Sequence, residues 1–125
     1  MILGIDHVQI TVPPDAVEQA RAFYCGLLGF CEVEKPSTLQ VRGGFWLQAG
    51  GCPLHVGVEN CVDRRATKAH IAYAVQDLAG WRSRLAAAGI AILESIPIPG
   101  QERFEFRDPF GNRVEFVEAT TRGPA

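Results

Sequence analysis

The chain has 125 residues, of which 47% are hydrophobic and 21% charged, and a formal net charge of −2. That describes one ordinary globular domain with enough residues to bury a sizeable core. No basic run speaks for nucleic acid or an anionic membrane surface, and no apolar run is long enough to span a bilayer.

The first residues, Met1 to His7, have no basic start and meet an acid at Asp6, so no secretory signal is expected. Cys25, Cys31, Cys52 and Cys61 are accordingly read as reduced thiols of a cytoplasmic protein, packing as small hydrophobes. Residues 2–12 alternate as a strand: Val8, Ile10 and Val12 can bury against a helix, while His7, Gln9 and Thr11 face the other way. Pro13-Pro14 ends it. Asp15 is the expected N-cap, with Glu18 completing a loose capping box. The spacing of Val17, Ala20, Phe23, Tyr24, Leu27 and Leu28 predicts a helix that stops at Gly29.

Residues 31–35 read as a short edge strand and Pro36-Ser37 as a turn. Residues 39–48 read as two strand halves around Gly43-Gly44, or as one strand with a bulge. Residues 52–59 are a strand with Leu54, Val56 and Val58 on one face and His55, Gly57 and Glu59 on the other. Cys52 and His55 make a C-x-x-H, a spacing too common to define a metal pair alone.

After a polar connector, 60–66, the pattern restarts. Residues 67–75 are a strand carrying His70. Asp77-Leu78 begins a helix with Leu78, Trp81, Leu85 and Ala88 that stops at Gly89. Residues 90–94 are a short strand, 96–100 a Pro-rich turn, 101–107 a strand, 108–112 a tight turn and 113–118 the last strand; 120–125 form a loose tail.

The sequence is therefore two copies of one β-α-β-β-β unit, module one over 2–59 and module two over 67–119, an α+β arrangement in a single domain. His7 and His70 are 63 residues apart, and His55 and Glu115 are 60 apart, each pair in matching strands. Burying Ile71, Tyr73 and Val75 against the second helix turns His70 to the opposite face; burying Val114 and Phe116 does the same for Arg113 and Glu115. If the first and last strands of each unit pair, His7, His55, His70 and Glu115 converge. Three imidazoles and a carboxylate suit a divalent ion such as Zn, Ni, Mn, Fe or Co, with positions left open for substrate.

The stretches D-H-V-Q-I-T-V at 6–12, A-F-Y-C-G-L-L-G-F at 22–30, L-H-V-G-V-E at 54–59, K-A-H-I-A-Y-A-V at 68–75 and R-D-P-F-G-N-R-V-E-F-V-E at 107–118 resemble the vicinal oxygen chelate superfamily. That superfamily holds glyoxalase I, bleomycin-resistance proteins, fosfomycin-resistance proteins and extradiol dioxygenases. The resemblance implies a cup-shaped mixed sheet built from two modules, a metal held by His7, His55, His70 and Glu115, and a homodimer with composite sites. It implies a metal-dependent enzyme that chelates neighbouring oxygens of a small molecule, by lyase or isomerase, thiol-transfer or dioxygenase chemistry.

Glu115 is the base candidate and Glu59 a second; Gln9, Arg113 and Trp46 are candidate substrate contacts, Arg113 otherwise a salt-bridge partner and Trp46 otherwise a core residue. Two departures stand out. Glyoxalase I enzymes usually carry Glu where this chain has His55, and extradiol dioxygenases are usually much longer. The phosphonate-binding residues of fosfomycin thiol transferases find no clear match, although Arg103, Arg107 and Arg113 lie near the site strands. The alternative function is a metal-free, drug-binding protein of the bleomycin-resistance kind, whose members generally lack the four ligand residues kept here.

Overall fold

The β-α-β-β-β order read twice from the sequence is the order the chain adopts in a computed structural model that describes residues 1–119; the expected loose tail at 120–125 lies outside them. Two compact units divide the chain, Met1–Val62 and a second beginning at Asp63.

In the first unit, β1 (Val8–Val12), β2 (Cys31–Val33), β3 (Phe45–Ala49) and β4 (Cys52–Val58) form a mixed sheet in the order β1-β4-β3-β2. β1 runs parallel to β4, and the other pairs are antiparallel. Alternation sorts the sheet's faces. Val12, Phe45, Leu47, Leu54 and Val56 are buried, together with Ala20, Phe23, Tyr24 and Leu28 of the helical segment.

That segment is helix α1 (Val17–Arg21) followed by a π-helical stretch, Ala22–Leu27. The amide of Leu28 donates to the Phe23 carbonyl, and the amide of Phe30 to the Tyr24 carbonyl. Gly29, at φ +80°, takes the left-handed position that this ending requires.

Four expectations for this unit are corrected. Asp15 does not cap α1: the N-cap is Ala16, without a side-chain cap, because the Ala16 amide closes a turn onto the Pro13 carbonyl and moves the helix start along. Glu18 pairs with Arg21 instead of completing a capping box. Residues 2–7 are not strand: the parallel ladder with β4 starts at Val8 opposite Leu54, and Pro53, next before Leu54, has no amide to extend it. Ile2, Leu3 and Ile5 are exposed.

Nor is 39–48 two strand halves or one bulged strand. Ser37–Arg42 is a 3-10 segment, and β3 starts at Phe45. Gly43 and Gly44, at φ +74° and +81°, break the chain direction between them, and a Cβ on Gly44 would lie 2.1 Å from the Val56 carbonyl oxygen.

The second unit repeats the plan with β5 (His70–Ala74), α2 (Leu78–Ala87), β6 (Leu93–Glu94), β7 (Gln101–Arg107) and β8 (Arg113–Ala119), in the sheet order β5-β8-β7-β6. β5 is parallel to β8, as β1 is to β4. Leu78, Leu85, Phe104, Phe106, Val114 and Phe116 are buried, and Trp81 meets Phe116 edge to face. Asp77 caps α2, its carboxylate accepting from the Gly80 amide at 3.1 Å.

The 108–112 turn is built on Asp108, whose carboxylate accepts from the amides of Phe110 and Asn112 and from the Asn112 side chain. It sets the β7–β8 register that places Glu105 beside Glu115 and Arg107 beside Arg113. The short strands of this unit are shorter than predicted: β5 starts at His70 and β6 covers two residues. No helix among the described residues is long and apolar enough to cross a membrane.

Candidate metal centre

In the first unit, the face turned away from α1 carries Gln9 and Thr11 from β1, Trp46 from β3, and His55 and Gly57 from β4. His7, just before β1, reaches the same face: its ring stacks on His55 with centroids 4.2 Å apart and planes 19° apart. Trp46 stacks on the other side of His55 at 3.9 Å and 1°. Gln9 is the register neighbour of His55 and lies over Gly57, where a Cβ would meet its side-chain nitrogen at 3.2 Å.

The His7 Nδ1 lies 2.8 Å from Asp6 Oδ1. A carboxylate can only accept, so Nδ1 carries the proton and Nε2 presents a lone pair. Burial, helped by the neighbouring His7, pulls His55 below the usual imidazole range.

In the second unit, His70 Nε2 lies 3.4 Å from Glu115 Oε1. The His70 Nδ1 is 3.0 Å from the Lys68 carbonyl, which again puts the proton on Nδ1. Nε2 of the same ring then faces a carboxylate oxygen, an arrangement that asks for a proton or a cation between them. The Glu115 side chain is 8% exposed and also receives Arg103 Nη1 at 3.2 Å. Arg103 is held in turn by the Ile96 carbonyl, to which Nε and Nη2 donate at 3.2 and 2.8 Å.

The structure thus brings together His7, His55, Gln9 and Trp46 in one unit, and His70 and Glu115 in the other. Arg113 shares the Glu115 face, but both sides of its guanidinium fork are engaged by Glu105. Glu59 follows β4 four residues beyond His55, roughly 13 Å along a strand, and accepts from Thr11 at 3.1 Å. It is not brought to the histidines. Cys52 donates to the Pro53 carbonyl.

Two residues on this face went unassigned in the sequence, Arg103 as the partner of Glu115 and Glu105 as the partner of Arg113. The signal was present in Gln101–Arg107, where buried Phe104 and Phe106 force Arg103, Glu105 and Arg107 onto the opposite side. Among the described residues no three His, Cys, Asp or Glu side chains gather as a metal-holding group.

The donor chemistry nevertheless fits a divalent ion. Both hydrogen-bonded imidazoles offer Nε2, with Nδ1 tied to an oxygen, the outer arrangement typical of metal-binding histidines. Metal–nitrogen and metal–oxygen bonds near 2.1 Å put neighbouring donors about 3.0–3.4 Å apart, and the 3.4 Å between His70 and Glu115 falls in that range.

Paired β-α-β-β-β modules with donor side chains on the face away from the helices define the vicinal oxygen chelate class. The chain belongs to the Glyoxalase/Bleomycin resistance protein/Dioxygenase superfamily, whose family model matches residues 4–116. A glyoxalase family protein from Bacillus anthracis, of known structure, is 39% identical, with a TM-score of 0.88 over 95% of this chain and 97% of that one. The fosfomycin resistance protein FosX from Listeria monocytogenes, solved with Mn(II) and sulfate, is 20% identical, with a TM-score of 0.77 over 96% of this chain and 93% of that one. An integron cassette protein from the mobile metagenome of Halifax Harbour sewage outfall is also 20% identical, with a TM-score of 0.72 over 94% and 99%. The last two similarities speak for the fold alone. No curated protein shows significant similarity to the chain.

Proposed function

We propose that the protein is a metal-dependent enzyme of this superfamily, binding a divalent ion through His7, His55, His70 and Glu115 and acting on a small oxygenated molecule. The observation that carries this reading is the His70–Glu115 pair, 3.4 Å apart with Nδ1 of His70 tied to the Lys68 carbonyl. His7, tied at Nδ1 by Asp6, supports it independently.

Each module supplies two of the four donors. A homodimer with composite sites, one copy contributing His7 and His55 and a second copy contributing His70 and Glu115, would complete the set. A bound divalent ion would supply Lewis-acid polarisation of two neighbouring substrate oxygens.

The chain's own groups do the rest. Gln9, beside His55, offers an amide to orient substrate, and Trp46 borders it with an apolar ring. Arg113 is the cationic substrate contact to the extent that Glu105 releases it. Glu115, itself one of the four donors, is the first base candidate; Glu59 could act only on a substrate extending along β4.

FosX was solved with Mn(II), which makes manganese the first ion to try. Manganese uptake would favour thiol transfer, nickel or zinc a glyoxalase-like isomerisation, and iron(II) oxygen chemistry. Metal analysis of protein purified without chelator should find about one divalent ion per chain. Protein that is metal-free and takes up none of manganese, zinc, nickel or iron(II) would remove the enzyme reading and leave the metal-free drug-binding one.

A further inference from the structure

We infer that Trp46 is a positioning residue for His55, setting by ring stacking the orientation of the one candidate imidazole that no hydrogen bond holds. The inference rests on the metal-centre reading above.

The three imidazoles differ in how they are oriented. His7 and His70 have Nδ1 tied to Asp6 Oδ1 and to the Lys68 carbonyl. The His55 ring makes no hydrogen bond among the described residues. The second torsion of a histidine side chain is broad and poorly defined by itself, so an untethered ring on an open sheet face would swing.

Stacking removes that freedom. The antiparallel register puts Trp46 directly opposite His55, where cross-strand side chains are in reach of each other. The indole lies parallel to the imidazole at 3.9 Å and 1°, and His7 covers the other face at 4.2 Å and 19°. His55 is therefore the middle layer of three rings. Turning it about its ring torsion would break both stacks, so its nitrogens are confined to the plane between its neighbours.

The platform is itself anchored. Gly44, two residues before Trp46, packs on the Val56 carbonyl so closely that no side chain fits there. That contact fixes where β3 begins beside β4, and with it the Trp46–His55 pairing.

The test compares the wild-type full chain with Trp46→Phe and Trp46→Leu, by calorimetric titration with Mn(II). Trp46→Phe keeps a stacking face and should bind within about threefold of wild type. Trp46→Leu keeps apolar bulk without the face and should bind 10- to 100-fold more weakly, the loss typical of removing an outer partner of a metal ligand. Equal affinity in all three, or an equal loss in both variants, would overturn the inference.

A second readout needs no metal. In the metal-free proteins, ring-to-ring nuclear Overhauser contacts between His7 and His55 should persist in Trp46→Phe and fade in Trp46→Leu; persistence in both would overturn it as well. A wild type that binds none of the four ions sinks the metal-centre reading and this role with it, whereas a binding wild type matched by Trp46→Leu sinks this role alone.

Discussion

Arg113 grips Glu105 with both arms of its guanidinium fork, Nε to Oε2 at 2.5 Å and Nη2 to Oε1 at 2.7 Å, across the β7–β8 pair that also carries Glu115. The hydrogen bonds from Arg113 hold the Glu105 carboxyl below the usual carboxylate range. A carboxyl with a depressed folded-state pKa contributes stability that is present above its unfolded pKa and lost as pH falls through the folded one. The thermal midpoint of Glu105→Gln should therefore lie below wild type at neutral pH, and the gap should close as pH falls below the ordinary carboxylate range. A gap that is the same at neutral and at acid pH would show that the pair adds no pH-dependent stability.

Removing a proposed ligand should act on metal affinity more than on folding. His70 sits on a half-exposed strand whose core contacts are made by Ile71 and Tyr73. His70→Ala should lose about 100-fold or more in Mn(II) affinity, beyond the 10–100-fold usual for outer partners, with little change in the metal-free melting temperature. Titration calorimetry and differential scanning calorimetry on the same samples separate the two effects.

The Asp6 carboxylate is almost fully exposed, so as a surface ion pair it adds little to stability. Its effect should appear in metal binding instead. Asp6→Ala frees the His7 ring and lets the other tautomer form, and should weaken Mn(II) binding by about tenfold. Asp6→Asn, which keeps an acceptor oxygen, should recover most of that loss. Equal losses in the two variants would argue that charge, not ring orientation, is what Asp6 provides.

Gly44 and Gly50 both have positive φ, but only Gly44 is crowded; nothing lies within 4 Å of a Cβ at Gly50. Gly50→Ala should cost only about 1 kcal/mol, the conformational penalty by itself. Gly44→Ala adds a clash with the Val56 carbonyl and should cost roughly 2–4 kcal/mol. Urea midpoints compare them directly, and similar values for the two would mean that β3 can shift without loss.

The proposed composite sites make a further prediction about assembly. A double variant lacking His7 and His55 and another lacking His70 and Glu115 should each bind little Mn(II). Unfolded together and refolded, they should recover part of the wild-type binding, because a mixed dimer retains one full ligand set. No recovery would indicate that each chain completes its own set or that none forms.

Much of the fold was legible because burial imposes period on sequence. The alternation at Val8–Val12 and at Arg113–Phe116 told which side chains face the helices, and so put His7, His55, His70 and Glu115 on the opposite faces. The repeat of the β-α-β-β-β order was legible because His7 and His70, and His55 and Glu115, stand at matching places 63 and 60 residues apart. Where local pattern had no partner strand, it misled: residues 2–7 alternate as well as 8–12 do, yet nothing pairs with them. Residues 39–42 look extended in composition, but Pro36 and the two glycines at positive φ wind them into a 3-10 segment.

The sequence by itself determined the two modules, the helix positions and the donors that share each sheet face, since these follow from periodicity along one chain. Only tertiary structure decided what each donor meets. The Nδ1 tethers of His7 and His70 come from Asp6 and the Lys68 carbonyl; the stacking of His55 depends on the β3–β4 register; and the pairing of Glu115 with Arg103 and of Arg113 with Glu105 depends on which residues β7 sets beside β8. The tethers are local, but the stacking and the two ion pairs are made across strands, 8 to 12 residues apart in the β7–β8 pairs and 9 in the Trp46–His55 pair, and pattern along a single strand carries no information about the neighbour that register selects.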